Sequence, residues 1–126
     1  MTDYEHELVV GSLDTGKRHV DDAVFSTYVR RVRESFLRER VPTESFETYY
    51  RPAVRMEVDY HAELFAGDRV VGSVDVLSVG ETSITTEVTL STDEQRVATA
   101  KTVQVIVDPE TEEPTPVPED WRANLT

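Results

Sequence analysis

The chain has 126 residues, the length of one domain with a modest hydrophobic core. It carries 25 acidic and 13 basic side chains, a formal net charge of -12, which repels nucleic acids and anionic membrane surfaces, so neither is expected as a partner. Cysteine is absent, which excludes disulfides, cysteine-based zinc sites and a thiol nucleophile.

The distribution of charge and hydropathy predicts where the protein works. Residues 1–6 are polar, unlike a signal peptide, and no apolar run approaches the ~18 residues of a membrane span, so we expect a cytoplasmic protein. Lys17 and Lys101 are the only lysines. Abundant Asp and Glu with few lysines resembles the proteins of salt-loving archaea, where salt near 1 M shortens the Debye length to roughly 3 Å and screens self-repulsion.

The first half of the chain predicts a short strand followed by one long helix. The strand is predicted at Glu7–Leu13, residues 14–18 form a polar loop, and a helix runs from Asp22 to Arg40. Asp21 or Asp22 suits the N-cap, and Val41-Pro42 ends the helix. One face of the helix is apolar, formed by Phe25, Tyr28, Val29, Val32 and Phe36.

The second half predicts strands joined by short turns. They are expected at Val54–Leu64, Val70–Val79, Ile84–Leu90 and Arg96–Val107, and the first of them alternates between an apolar and a wet face. Strands that follow one another through short turns are antiparallel neighbours. We therefore predict a single α+β domain over residues 1–126, with a long helix on a five-stranded antiparallel sheet and a peripheral tail at 109–126.

Chemistry is concentrated where the polar loop meets the helix. The free amides of a helix N-terminus can hold an anionic oxygen, which acyl transfer requires, and a nearby carboxylate or hydroxyl can activate water. The alternative is that Asp21 and Asp22 only cap the helix and that His19 packs on its first turn. His6, His19 and His61 are too scattered to predict a metal site.

These residues resemble a known family. The run from His19 to Phe25, His-Val-Asp-Asp-Ala-Val-Phe, followed by Tyr28, resembles the Gly-His-Val-Asn-Asn segment and helix of hotdog thioesterases of the 4-hydroxybenzoyl-CoA thioesterase group. Gly67-Asp68 and the hairpin Gly80-Glu81-Thr82-Ser83 resemble turns that follow in the same order. The resemblance implies a hotdog fold and a cofactor-free acyl-CoA thioesterase, with active sites between the subunits of a homodimer or dimer of dimers.

The resemblance also implies the site residues. Catalytic roles fall to Asp14, Thr15, His19 and Asp22, and substrate contacts to Asp21, Ala23, Tyr28 and Ser83, with no metal. The family's catalytic Asp normally stands at the position of Thr15, one residue after Asp14. Water is therefore expected to be activated by Asp14, or positioned by Thr15 and His19.

Two further questions stay open at this point. The chain is expected to hydrolyse an acyl-CoA, or alternatively to bind an acyl thioester or another protein as a hotdog dimer without turnover. A hydratase is disfavoured because the helix has no His after His19. Glu81 replaces an Arg often found in the family's hairpin, so Lys17, Arg18 and Arg96 are either substitute phosphate contacts or ordinary surface charges.

Overall fold

The structure, a computed structural model, describes residues 4–15 and 20–126 and contains one long helix on one antiparallel sheet. The strands are β1 (Glu5–Val9), β2 (Ala53–Tyr60), β3 (Arg69–Val79), β4 (Ser83–Ser91) and β5 (Arg96–Val105). The helices are α1 (Asp22–Arg40), α2 (Thr43–Thr48) and α3 (Glu119–Leu125), and a 3-10 turn spans Ser12–Asp14. The predicted α+β class, a long helix on a five-stranded antiparallel sheet, is confirmed.

Helix α1 begins and ends where the sequence predicts, because both signals are local. The Asp21 side chain caps the start of the helix by accepting a hydrogen bond from the Val24 amide at 3.2 Å. At the other end, the Val41 amide donates to the Leu37 carbonyl. The buried face carries the predicted apolar residues Phe25, Tyr28, Val29, Val32 and Phe36. This face packs on β3 and β4, which fixes α1 across the middle of the sheet.

The order of the strands differs from the prediction at one point. The sheet runs β1-β3-β4-β5-β2, so β2 pairs with β5 and is not a neighbour of β3. The prediction of four strands in simple succession is therefore wrong for β2, because β1 occupies the edge of β3 that β2 would need. Residues 61–68 instead cross the end of the sheet, where buried Leu64 accepts the Val20 amide beside the start of α1.

The C-terminal segment also differs from the prediction of a peripheral tail. Trp121 in α3 is 0% exposed, and its indole Nε1 donates to Ser45 Oγ in α2 at 2.7 Å. Arg122 donates to the carbonyls of Val79 and Gly80 at the β3–β4 turn. Helices α2 and α3 thus close one end of the core, since burial of one large aromatic side chain favours folding of the segment that carries it.

Strand β2 lies at the edge of the sheet and is exposed on both faces. The sequence predicts one apolar and one wet face, but Val54 is 61% and Tyr60 49% exposed, while Met56 and Val58 are half-buried. The reason is that β2 extends beyond the area that α1 covers. No helix in the described part of the chain is both long and apolar enough to cross a membrane.

Candidate functional site

The start of α1 presents two backbone donors. The Asp21 carboxylate satisfies the Val24 amide, and the Phe25 amide bonds to the Asp21 carbonyl at 3.1 Å. The amides of Asp22 and Ala23 lie in the first turn, where no intrahelical acceptor exists. Because this is also the positive end of the helix dipole, an anionic oxygen is stabilised here.

An apolar pocket of about 360 Å³ opens beside these donors, on the side of α1 that faces β2. Phe25 and Tyr60 pack edge to face in its wall, with their ring centroids 5.2 Å apart. Burial, and secondarily the charge of Asp22, raises the pKa of Tyr60, so its hydroxyl remains protonated at neutral pH. The complete lining consists of Val20, Asp21, Asp22, Phe25, Tyr60, Ala62 and Glu63. Such a pocket suits the apolar part of a ligand whose polar end reaches the helix start.

Asp14 is held beside the first turns of α1 by a buried tyrosine. Its Oδ2 accepts the Tyr28 hydroxyl at 2.7 Å and the Gly11 amide at 3.1 Å, so both bonds converge on one oxygen. The Tyr28 bond first, and the Gly11 bond second, lower the pKa of Asp14 below its usual range and keep it ionised. This bond places the Asp14 carboxylate beside the second turn of α1, and Asp14 is not among the residues that line the apolar pocket.

Tyr28 itself is only 1% exposed, and burial together with Asp14 raises its pKa far above neutrality. The Tyr28 hydroxyl donates to Asp14 in the structure, and a substrate contact at Tyr28 stays a prediction. Thr15 pairs with Val20 in an isolated β-bridge, and its hydroxyl donates to the Ser12 carbonyl at 2.9 Å. The Thr15 hydroxyl is therefore engaged within the loop.

Some of the other predicted site residues lie at the apolar pocket and others do not. Asp21 and Asp22 line the pocket, and Ala23 supplies one of the two amides that have no acceptor within the helix. His19 lies outside the described residues. Ser83 pairs with Val105 at the end of β5 that is distant from the pocket.

The separation of Ser83 from the pocket follows from the sheet register. Tyr60 pairs with Ala98, whereas Ser83 pairs with Val105, seven residues further along β5. At about 3.4 Å per residue the two positions are roughly 24 Å apart. One chain by itself therefore does not bring Ser83 to the pocket.

The sequence does not predict Tyr60 and Ala62 as pocket residues. Tyr60 ends an alternating strand and could be read as an interface residue, but its place opposite Phe25 depends on the pairing of β2 with β5. Within the described residues, no group of three or more His, Asp or Glu side chains is arranged to hold a metal ion.

The fold and the site together define a hotdog-type domain, in which the N-terminus of one long helix meets an apolar pocket at the end of an antiparallel sheet. The model of the Thioesterase-like superfamily matches residues 13–125, and the chain belongs to that superfamily.

Two curated proteins with similar sequences are named as hydrolases of a CoA thioester. Two 1,4-dihydroxy-2-naphthoyl-CoA hydrolases, from Synechococcus elongatus and a Synechococcus species, are each 32% identical over 73 residues, which cover 56% of this chain. The chain spans about half of their length, 54%.

Solved structures resemble it over almost the whole chain. A thioesterase from Thermus thermophilus, complexed with coenzyme A and Zn, is 26% identical with a TM-score of 0.84, covering 96% of this chain and 95% of that one. A 1,4-dihydroxy-2-naphthoyl-CoA thioesterase from Synechocystis, 20% identical with a TM-score of 0.84 over 97% and 94% of the two chains, shares the fold.

Proposed function

We propose that this protein hydrolyses an acyl-CoA thioester to a free acid and coenzyme A. The observation that carries the proposal is the start of α1, where the amides of Asp22 and Ala23 have no acceptor within the helix and lie beside an apolar pocket. Support also comes from the superfamily and from relatives named as CoA-thioester hydrolases.

The helix start stabilises the transition state in this proposal. The acyl group lies against Phe25 and Tyr60, and the thioester carbonyl oxygen points to the amides of Asp22 and Ala23. The hydrogen bonds from these amides become stronger as negative charge develops on that oxygen. The neighbouring Asp21 carboxylate is turned toward the Val24 amide, which offsets its repulsion of the developing charge.

Asp14 is the proposed base. Oδ1 takes the proton from water in this proposal, because the two hydrogen bonds that Asp14 accepts from described residues both fall on Oδ2. The hydroxide adds to the thioester carbon, the tetrahedral intermediate collapses with cleavage of the C–S bond, and the departing thiolate takes up the proton. Thr15 and His19 remain candidates for positioning the water.

A homodimer, or a dimer of such dimers, is the proposed assembly. The outer edge of β2 pairs with no strand in the described residues, and Val54 and Tyr60 expose apolar surface there. Antiparallel pairing of β2 with its copy would set the partner's Ala53 end beside Tyr60. The end of the sheet that carries Ser83 would then approach the pocket of the other subunit.

The proposed setting is the cytoplasm of a salt-loving archaeon. The supporting observation is the composition, 25 acidic residues against 13 basic ones, with only two lysines. Screening at high salt would also let an anionic CoA ester approach so acidic a protein.

A second candidate function is binding of an acyl thioester without turnover. It is favoured by the two hydrogen bonds that lower the pKa of Asp14, because a less basic carboxylate accepts a proton less readily. An acyl-CoA would then raise the melting temperature without release of thiol.

Replacing Asp22 by proline tests the proposed oxyanion site. Asp22 is the first helical residue and Asp21 before it is extended, so proline fits and removes only one amide donor together with the side chain. Asp22→Ala is the matched variant that loses the side chain alone. We expect kcat of Asp22→Pro to lie about 100-fold or more below that of Asp22→Ala. Equal kcat values for two folded variants would refute the role of this amide.

A further inference from the structure

Positive charge is concentrated on the outer face of α1. Two adjoining hollows of about 560 and 280 Å³ share Arg30, Glu34 and Arg38, and we call them together the arginine depression. Its charged residues are Arg30, Arg31, Arg33, Arg38, Arg51, Glu34 and Glu47. Five of the chain's 13 basic residues but only two of its 25 acidic residues therefore line this depression.

Two of these arginines form the framework of the depression. Arg51 donates to Glu34 and to the carbonyls of Phe46 and Tyr49, which leaves it little capacity for a ligand. Arg33 is 4% exposed and donates to Thr102, and its Nε lacks a hydrogen-bond acceptor.

The remaining arginines are available to a ligand. Arg30 and Arg31 are exposed and form no ion pair with any residue in the described ranges 4–15 and 20–126. Arg38 pairs with Glu47 only at 3.8 Å, with both side chains largely in solvent, so this pair is weak. Planar guanidinium groups bind phosphate oxygens with paired hydrogen bonds, so the depression suits a phosphorylated ligand.

The depression lies at a suitable distance from the proposed thioester site. Asp22, Ser26, Arg30, Glu34 and Arg38 follow one another at four-residue steps, and each step advances about 40° around α1, so Arg30 lies about 80° around the helix from Asp22. Measured along the helix axis at ~1.5 Å per residue, the backbone of Arg30 is about 12 Å and that of Arg38 about 24 Å from the helix start. The pantetheine arm between the sulfur and the diphosphate of coenzyme A equals roughly four extended peptide residues, or about 14 Å.

We infer that the arginine depression binds the phosphorylated nucleotide end of the CoA ester, with Arg30 and Arg38 as its principal contacts. This inference rests on the proposed thioesterase function. Arg30 and Arg38 also give the anionic substrate direct partners in a chain of net charge -12, and direct contacts persist at high salt, which screens long-range attraction and repulsion alike.

A direct binding measurement tests the inference without turnover. Isothermal titration with adenosine 3′,5′-bisphosphate, which has the nucleotide but no thioester, is performed on the full chain and on Arg30→Ala/Arg38→Ala. Arg69→Ala, which removes an exposed arginine paired with Glu7 on the other side of the sheet, is the matched control. We expect the double variant to bind about tenfold more weakly or worse and Arg69→Ala to bind like the unaltered chain.

The same variants separate the two proposals kinetically. In the double variant, KM for an acyl-CoA should rise about tenfold with kcat within about twofold, while KM for the corresponding acyl-pantetheine stays unchanged. The inference would be overturned if the double variant bound the bisphosphate as tightly as the unaltered chain does. It would also be overturned if the unaltered chain did not bind the bisphosphate, or if only Arg96→Ala lost binding. Lack of acyl-CoA turnover in a chain that still binds bisphosphate through Arg30 and Arg38 would instead refute the proposed function.

Discussion

The hydroxyl of Tyr28 connects the core of the domain to the loop that carries Asp14. It is buried on α1, and its 2.7 Å bond to Oδ2 orients the carboxylate. A base acts efficiently only when it is held close to its productive position, so the contribution of Tyr28 is one of positioning.

Replacement of Tyr28 by phenylalanine should lower kcat about tenfold or more and leave KM nearly unchanged, because Asp14 loses its orientation. The pKa of Asp14, followed by NMR of its carboxyl carbon, should rise toward its usual range. Tyr50→Phe, at an exposed tyrosine away from Asp14, serves as the control.

The sign of the pH dependence follows from the lowered pKa of Asp14. A carboxyl group whose pKa is lower in the folded state stabilises that state above its unfolded pKa, and this stabilisation is lost as pH falls through the folded pKa. The stability difference between the unaltered chain and Tyr28→Phe should therefore shrink below about pH 4. A constant difference down to acidic pH, with an unchanged pKa of Asp14, would contradict the assigned hydrogen bond.

At the scale of elements, the free edge of β2 determines the proposed assembly. A positive charge at Val54, which is 61% exposed, should weaken self-association with little effect on the folded chain. Val54→Lys should sediment as a lighter species than the unaltered chain at equal concentration. Leu77→Lys on β3, where the side chain is 47% exposed, is the matched control and should keep the mass of the unaltered chain. Equal masses for all three proteins would contradict the role of this edge.

Helix α3 should contribute substantially to stability although it lies near the end of the chain. Trp121 is fully buried against Tyr49, with ring centroids 6.1 Å apart. Trp121→Ala should lower the free energy of unfolding by about 3–5 kcal/mol in urea denaturation. Ser45→Ala, which removes the acceptor of the indole N–H and the bond from the Ser45 hydroxyl to the Pro42 carbonyl, should cost about 1 kcal/mol. A loss below 1 kcal/mol for Trp121→Ala would show that the segment is peripheral.

The sequence predicts some elements better than others, because some are determined by neighbouring residues and others by contacts between distant parts of the chain. Helix α1 is predicted to the residue, since its apolar period and its Asp21 cap are local. The partner of β2 is not, because it depends on β1 occupying the edge of β3. Helix α3 is not predicted either, because Trp121 and Leu125, the two buried residues of this short segment, give too little periodicity to predict a helix.

The candidate site is predicted in part for the same reason. The helix start, with Asp21, Asp22 and Ala23, follows from the sequence and the family resemblance. The contact between Tyr28 and Asp14 and the pairing of Phe25 with Tyr60 require the folded chain, because they join separate elements.

At the scale of the whole molecule, net charge should make stability depend on salt. The formal charge of -12 produces self-repulsion that ions screen. The melting temperature should rise between 0.1 and 2 M KCl, roughly, as the Debye length falls from about 10 Å to below 3 Å. Sucrose at matched osmolality controls for exclusion of solutes from the surface. A melting temperature that falls across this range would contradict a high-salt setting.

Thiol release from acyl-CoA esters at high KCl tests the central claim most directly. The chain has no cysteine, so a thiol reagent reports only free coenzyme A. Assays with aromatic and aliphatic acyl-CoAs should show turnover by the unaltered chain and a drop in kcat of about 100-fold in Asp14→Asn, which keeps the shape of the side chain but removes the base. Absence of thiol release from every ester, with binding retained, would contradict hydrolysis, and full activity of Asp14→Asn would contradict the assigned base.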